Sequence, residues 1–258
     1  MTSYQPGTPS WVDIGVPDMD AAIAFYGGLF GWTFTEEAEE TGGYRQALLG
    51  DKAIAGFGPQ MNPGPPFWAT YIATDDVEAT AAKVIEAGGQ VIVEAMDILD
   101  LGRMAVFTDD TGTFFSVWQA GAHPGAGLVN EPGALSWNEL NTRQADAAKA
   151  FYPKVFGWTS ETGESPMMTY TQWYLDGRVV GGMLHMGPQI PAEVPAHWLV
   201  YFAVDGTDAA VDKVVELGGS VMVPPFDIDA GRFAVVADTA GAHFAIITLA
   251  DRPEGDGA

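Results

Sequence analysis

Asp20-Ala-Ala-Ile-Ala-Phe-Tyr26, closely followed by Phe30-Gly-Trp-Thr33, occurs twice in this chain: it returns as Asp146-Ala-Ala-Lys-Ala-Phe-Tyr152 with Phe156-Gly-Trp-Thr159. Toward the C-terminus the correspondence continues. Lys83-Val84, Gly88-Gly89, Val91, Asp97-Ile98 and Gly102-Arg103 answer to Lys213-Val214, Gly218-Gly219, Val221, Asp227-Ile228 and Gly231-Arg232, and Asp109 and Gly112 to Asp238 and Gly241. The order never changes and only small insertions shift the spacing, which identifies an internal duplication. One copy runs over residues 7–120 and the other over 133–250. The stretch 121–132, with its Gly and Pro content, reads as a linker, and 251–258 reads as a frayed tail.

Within a copy the elements alternate in type. Trp11 to Val16 has the character of a short strand. Asp18 is placed to cap a helix, its carboxylate accepting from free N–H groups of the first turn. Ala22, Phe25, Tyr26 and Leu29 fall at helical spacing and define its buried face. Three strands are expected next, two of them hinged at Gly50-Asp51. Phe67 to Thr74 reads as a strand, and Asp75 or Asp76 caps a second helix with Val77, Ala81, Val84 and Ile85 turned inward. Gly88-Gly89 ends that helix, because glycine takes the left-handed conformation cheaply. Three further strands complete the copy. The fold class is α+β: four βαβββ units in tandem. Trp32 and Trp158 should anchor the core, and Arg103 and Arg232 should pin loops through Asp97 and Asp227.

Composition bounds the function. Of the 258 residues 47% are apolar and 12% aromatic, a globular balance. No apolar run reaches the roughly 18–20 residues a membrane helix needs. The opening Met-Thr-Ser-Tyr-Gln-Pro-Gly lacks a basic stretch followed by an apolar core, so a soluble cytoplasmic protein is expected. With no cysteine, disulfides, thiolate ligands and cysteine nucleophiles are excluded. A net charge of −23 repels nucleic acid and anionic lipid and attracts cations, although acidic surfaces also serve solubility. No glycine-rich loop has the spacing and lysine of a phosphate cradle. The duplication supplies an internal pseudo-dimer, so the chain is expected to be a monomer or a homodimer.

Val16-Pro-Asp-Met-Asp-Ala-Ala-Ile-Ala-Phe-Tyr26, Phe30-Gly-Trp32, Ala87-Gly-Gly89 and Thr108-Asp-Asp-Thr-Gly112, with their partners in the second copy, resemble the vicinal oxygen chelate superfamily. That superfamily includes glyoxalase I, extradiol dioxygenases, and bleomycin and fosfomycin resistance proteins. The resemblance covers nearly the whole chain and is specific for the fold rather than for a reaction. It implies two tandem glyoxalase-like modules, each a curved mixed sheet forming a cup. The doubled form resembles a two-module actinobacterial subgroup, which implies an antibiotic setting. The chelating members hold a divalent ion with His and Glu on the first, fourth, fifth and eighth strands of a module. Carried onto this chain, the first-strand positions are Trp11 and Trp137 and the fifth-strand positions Ala69 and Leu199. The eighth-strand positions are Ser116 and Ala245, and the fourth-strand positions fall near 56–58 and 182–184. Indole, methyl and isobutyl groups do not hold such an ion. No metal and no cofactor are therefore expected, and a metal-dependent lyase or dioxygenase is the weakest possibility.

Residues two apart on a strand share a face. The cup faces should then carry Trp11 and Asp13, and Trp137, Glu139 and Asn141, on the first strands. The fifth strands should present Phe67 and Tyr71, and His197 and Tyr201. The eighth should present Phe114, Ser116 and Trp118, and His243 and Ile247. Trp68 and Trp198, one step off this parity, should pack beneath helices. Tyr44 with Gln46, and Tyr170 with Gln172, occupy matching third-strand places whose facing the sequence leaves open. An aromatic lining with sparse polar groups suits a flat small molecule, cationic or neutral, unless the rings simply fill the cups as core. The ligand-contact candidates are Trp11, Phe67, Tyr71, Phe114, Ser116, Trp118, Trp137, Asn141, Tyr201 and His243. Glu139, Asp13 and His197 are the candidates for proton transfer or counter-charge, the alternative for the carboxylates being a buried hydrogen bond. His123 reads as a surface residue of the linker. Two functions follow as expectations. One is metal-independent binding of an aromatic natural product, in self-resistance or biosynthesis. The other is a metal-free enzyme (isomerase, cyclase or hydroxylase partner) acting on an aromatic polyketide.

Overall fold

Helix punctuation fixes the frame. In a computed structural model describing residues 4–37, 39–61, 63–164 and 168–250, the first helix, α1 (Met19–Phe30), starts where Asp18 Oδ1 accepts the N–H of Ala21 at 3.0 Å. It stops at Gly31, whose φ of 72° is the left-handed conformation. Helix α2 (Val77–Ala87) is capped by Asp76 rather than Asp75, through Ala79 N–H at 2.8 Å, and ends at Gly88 with φ 101°. Gly89 follows because a Cβ there would strike the Thr108 carbonyl and come within 2.8 Å of Val84. The tail expected at 251–258 lies outside the described residues.

Helix α1 buries Ala22, Phe25, Tyr26 and Phe30, while Leu29 is only partly covered. Helix α2 buries Val77, Thr80 and Val84. Ile85, expected inward, is 60% exposed, and Ala81 is partly buried. The buried stripe of α2 is one residue wide per turn, and Ile85, a hundred degrees from Val84, falls off its edge.

The strands are β1 (Pro9–Val16), β2 (Thr33–Phe34), β3 (Arg45–Leu49), β4 (Lys52–Pro59), β5 (Trp68–Ala73), β6 (Gln90–Ile98), β7 (Gly102–Thr108) and β8 (Phe114–Ala120) in the first repeat. The second repeat has β9 (Leu135–Thr142), α3 (Ala145–Phe156), β10 (Thr159–Glu164), β11 (Thr169–Leu175), β12 (Arg178–His185), β13 (His197–Ala203), α4 (Thr207–Glu216), β14 (Ser220–Ile228), β15 (Gly231–Ala237) and β16 (His243–Leu249). They form two mixed eight-stranded sheets with the same order, β2-β3-β4-β1-β5-β8-β7-β6 and β10-β11-β12-β9-β13-β16-β15-β14. Four βαβββ units in two curved, unclosed sheets give the α+β fold.

The chain condenses into two compact units, and neither is a single repeat. One comprises the described residues up to Asp13 with Ala69–Gly127 and Trp137–Val200; the other comprises Ile14–Trp68, Leu128–Ser136 and the described residues from Tyr201 onward. Each unit thus joins the half of one copy to the half of the other. In the first, Phe107, Phe115, Phe151, Tyr152, Trp158, Trp173 and Trp198 form a shared core. In the second, Phe25, Tyr26, Trp32, Phe57, Trp68, Phe202 and Phe244 are all buried. The two cores repeat a stacked pair: Tyr152 on Trp158 at 5.5 Å, and Tyr26 on Trp32 at 5.9 Å.

Each unit is also held by a buried polar staple. Tyr152 Oη donates to Asp109 Oδ2 at 3.1 Å and accepts from Trp198 Nε1 at 3.2 Å. Asp109 Oδ1 accepts the N–H groups of Thr111 and Thr113, each at 2.9 Å. In the other unit Tyr26 Oη donates to Asp238 Oδ2 at 2.9 Å and accepts from Trp68 Nε1 at 3.1 Å, while Asp238 Oδ1 accepts from Ala240 and Ala242 N–H. Trp68 and Trp198 face the helices, as their strand parity requires. Arg103 pairs with Asp97 at 2.7 Å and with Glu78 at 2.6 Å; Arg232 pairs with Asp227 at 3.1 Å and with Asp208 at 2.6 Å. These arginines tie a strand end to an acid of the preceding helix and to the paired residue of the neighbouring strand, rather than to a loop.

Removing one partner of a buried hydrogen bond strands the other, at a cost of about 1–3 kcal/mol. Tyr152→Phe and Asp109→Asn are each expected to destabilise the protein by that amount, with a positive coupling in the double variant. Urea unfolding measures it, and strictly additive effects would show that the pair is not linked.

Candidate functional site

On β9 the pleat turns Trp137, Glu139 and Asn141 to one face. Strand β12 runs parallel beside it with Gly182 opposite Glu139, and β11 runs antiparallel to β12 with Gln172 opposite Gly182 and Tyr170 opposite Leu184. Tyr170 leans across Gly182: a Cβ at that glycine would collide with the phenol oxygen and stand 3.0 Å from Trp137 Nε1. The indole Nε1 of Trp137 donates to Tyr170 Oη at 3.0 Å. The Tyr170 hydroxyl in turn hydrogen-bonds the Glu139 carboxylate. Asn141 Nδ2 donates to Glu139 Oε1 at 3.2 Å. Burial first, and then the Glu139 charge, push the Tyr170 pKa far up, so the phenol is a neutral donor. Glu139 is 6% exposed and Asn141 5%, so this carboxylate depends on its donors.

In the first repeat Trp11 and Asp13 of β1, Tyr71 of β5, and Ser116 and Trp118 of β8 come together. Tyr71 pairs with Ser116 in register, and its hydroxyl donates to Asp13 Oδ2 at 2.9 Å. Trp11 is 3% exposed, Tyr71 6%, Ser116 3% and Trp118 6%, so the chain itself covers this face. Part of the cover is the linker, and here the expectation of a surface His123 is corrected. The His123 ring stands edge-on to Trp11 with centroids 4.4 Å apart and lies 5.7 Å from Trp118. Trp118 Nε1 donates to the His123 carbonyl at 2.8 Å, His123 N–H donates to Leu101 O at 2.9 Å, and Ala126 N–H donates to Ser10 O at 2.8 Å. These bonds bind residues 121–126 back onto the first repeat. Burial lowers the His123 pKa from 6.5 to about 4, so the imidazole is neutral at neutral pH.

Tyr201 is 5% exposed and packs on Phe233 at 5.7 Å, which meets Phe226 at 4.3 Å. Phe67, 48% exposed, immediately precedes β5 rather than opening it, and Phe114, 49% exposed, is the first residue of β8. His197 is partly buried with Nδ1 2.9 Å from Pro195 O, and His243 is exposed at the first residue of β16. The structure therefore gathers Trp137, Glu139 and Asn141 around Tyr170, and Trp11, Asp13, Tyr71, Ser116 and Trp118 beside His123. Tyr170 and His123 are the members that sequence reasoning did not place. For Tyr170 a signal existed: a tyrosine in the same place in both repeats, beside a strand with glycine where a side chain should stand.

Among the described residues no group of three or more His, Asp or Glu side chains is arranged to hold a metal ion. The ligand positions implied by the resemblance carry Trp11, Ala69, Ser116 and the stretch Gly56-Phe57-Gly58, and Trp137, Leu199, Ala245 and the stretch Gly182-Met183-Leu184. One hydroxyl among indoles, apolar side chains and glycines is not a donor set for a divalent cation. No helix of the described residues is long and apolar enough to cross a membrane.

The neutral His123 has a pH consequence. Between pH 6.5 and about 4 the unfolded chain takes up a proton at this residue that the folded chain refuses, so stability falls as pH drops through that window and levels off below it. His123→Phe should flatten the stability–pH slope there, measured by urea unfolding at intervals of pH. An unchanged slope would mean that the ring is solvated when folded.

A family model described as the Glyoxalase/Bleomycin resistance protein/Dioxygenase superfamily matches residues 8–117 and 134–246. A Mycobacterium tuberculosis protein named "Putative glyoxylase CFP32" is 46% identical over 255 residues, covering 95% of this chain and 96% of its own. The anthracycline biosynthesis protein DnrV of Streptomyces peucetius is 39% identical over 265 residues, covering 96% of each. Among solved structures, the Mn(II)-bound glyoxalase from Novosphingobium aromaticivorans superposes with a TM-score of 0.64 at 17% identity, covering 96% of this chain and 84% of that one. The 2,3-dioxygenase LapB from Pseudomonas sp. KL28 superposes with a TM-score of 0.64 at 14% identity, covering 99% and 97%. By the match of both repeats and the full-length relatives, the chain belongs to the glyoxalase/bleomycin resistance/dioxygenase superfamily.

Proposed function

We propose that this protein binds an aromatic small molecule without a metal ion, as an accessory in the biosynthesis of an aromatic natural product or in resistance to it. One observation carries the proposal: Trp137, at a position where the resemblance to chelating members implies a metal ligand, instead opens a chain of hydrogen bonds, Trp137–Tyr170–Glu139–Asn141, whose last two members are buried. Indole and phenol rings offer stacking area of about 0.5–1.5 kcal/mol per contact beyond burial, and the polar chain offers a fixed point of orientation. The full-length likeness to an anthracycline biosynthesis protein supports a polycyclic ring as ligand. The cytoplasm is the expected compartment, and the net charge of −23 favours a ligand that bears a cation over one that bears an anion.

Glu139 also favours a second function, metal-free proton transfer on the bound ring. A buried carboxylate held by a phenol and an amide is oriented to accept a proton from a ligand hydroxyl or an acidic C–H.

Equilibrium dialysis of protein purified without chelator against polycyclic aromatics is expected to show saturable binding at micromolar concentrations (K of about 10⁶ M⁻¹, roughly 8 kcal/mol). Elemental analysis of the same sample should find substoichiometric zinc, iron, manganese and nickel. Binding that appears only with a stoichiometric metal would reverse the proposal. For the second function, Glu139→Gln should abolish turnover of a bound ring while changing its dissociation constant by less than about tenfold.

A further inference from the structure

We propose that residues 187–196, the connection from β12 to β13, form a lid over the end of the β9 face, and that Arg143 latches it shut. The proposal rests on the aromatic-ligand reading above and supplies that ligand with a way in.

The face and the loop meet at Met186. Leu184 stands opposite Asn141 in the parallel β9–β12 pair, so Met186, two residues further, shares the face of Glu139 and Asn141. Met186 N–H donates to Thr142 O at 2.9 Å, which carries the pairing one step past both strands. Met186 is 3% exposed, and Arg143 Nη1 lies 3.9 Å from its sulfur. The same guanidinium donates to three loop carbonyls, those of Val194 and Pro191 at 2.7 Å and that of Ile190 at 3.2 Å. The loop is thus drawn down over Met186 at the end of the face. Glu139 and Asn141 lie farther along that face and are buried, so a ligand that engages them needs part of the cover to move.

The loop is built to move as a body. Ile190 N–H donates to Gly187 O and Val194 N–H to Pro191 O, each at 3.1 Å, so two turns close within it. Pro188, Pro191 and Pro195 fix φ and stiffen it further. Ile190 and Val194, the two residues at which the turns close, are partly buried, while Pro188, Gln189, Ala192 and Glu193 are exposed. Arg143 is itself exposed, so water competes for each of its bonds and the latch can be released. A stiff body held by one releasable side chain is the construction of a lid.

The fold does not require this arginine. The first repeat has Pro17 at the place of Arg143 and Gln60 at the place of Met186, and Gln60 N–H donates to Val16 O at 3.0 Å just as Met186 N–H does to Thr142 O. The connection leaves the sheet in the same way with no guanidinium to hold it. Arg143 is therefore an addition to the second repeat, the repeat whose first strand carries Trp137, Glu139 and Asn141.

Methionine oxidation reads the latch without a ligand. With dilute hydrogen peroxide and peptide mass spectrometry on the full chain, Met61, 88% exposed, serves as the open reference, and Met183, 1% exposed on β12, as the control for general unfolding. Arg143→Leu keeps an aliphatic stem and loses the donors. It is expected to speed oxidation of Met186 about tenfold and to leave Met183 protected. Arg143→Lys keeps the charge but not the planar fork, and should speed Met186 by a smaller factor; it decides the matter should Arg143→Leu fail to fold. Stopped-flow mixing with 2-naphthol, followed by the naphthol's own fluorescence, reads the gate. A latch that closes on the free and the occupied protein alike slows entry and exit together, so Arg143→Leu should raise both rate constants about tenfold and change their ratio less than about threefold. Unchanged oxidation of Met186, or equal acceleration at Met183, overturns the latch. Faster oxidation of Met186 with unchanged entry and exit overturns the lid while the binding of aromatics stands. Absence of binding by 2-naphthol and by the polycyclic panel, in wild type and variants, overturns the aromatic-ligand reading and the lid with it, whatever the oxidation rates.

Discussion

Two buried carboxylates, Asp109 and Asp238, set the geometry on which everything else depends. Each is almost fully removed from water, at 3% and 6% exposure, and accepts its hydrogen bonds from backbone N–H groups and hydroxyls. A buried charge in that condition survives only if hydrogen-bond donors replace its hydration. The turn that follows it supplies two backbone N–H groups, and a helix of the other repeat supplies a tyrosine hydroxyl. Because the tyrosine accepts from a strand tryptophan as well, turn, helix and strand are fixed by one oxygen. The turn after Asp109 leads directly into β8, whose alternate residues include Ser116 and Trp118. The staple therefore decides which side chains of β8 meet Trp11 and Tyr71.

The same staple explains why a repeat is not a folding unit. Tyr152 belongs to the second copy and Asp109 to the first, yet they share a core with Phe115, Phe151 and Trp198. A half-repeat on its own would expose the underside of its sheet and leave its carboxylate without the phenol. Duplication within one chain solves this by making the complementary half covalently available, at an effective concentration no free partner matches.

Much of this was legible in the residues. Helix caps at Asp18 and Asp76 and the glycine stops depend on local chemistry, and strand parity is a rule of the pleat, so Trp68 and Trp198 could be assigned to the helix side without any structure. The clustering of Trp137 with Glu139 and Asn141, and of Trp11 with Asp13, follows from the same alternation. What could not be read is contact between segments distant in sequence. His123 lies in a stretch whose Gly and Pro content signals only that it turns; nothing local says that it turns back onto Trp11. Tyr170 belongs to a third strand whose facing depends on the register of β11 against β12, and register is a tertiary property. Ile85 failed for a different reason: the apolar arc of α2 is wider in sequence than the surface it meets.

The two repeats have diverged around a shared frame. In the first, Asp13 is answered by Tyr71 and the neighbouring indoles are covered by His123, so that face is closed by its own linker. In the second, Glu139 is answered by Tyr170 and Asn141, and the indole at its rim is partly open. Both repeats keep an inward carboxylate two residues after a first-strand tryptophan, which is an expensive thing to retain in a core that serves only packing, since an apolar residue of similar volume costs less there. In both, the donor that offsets the expense is a tyrosine hydroxyl.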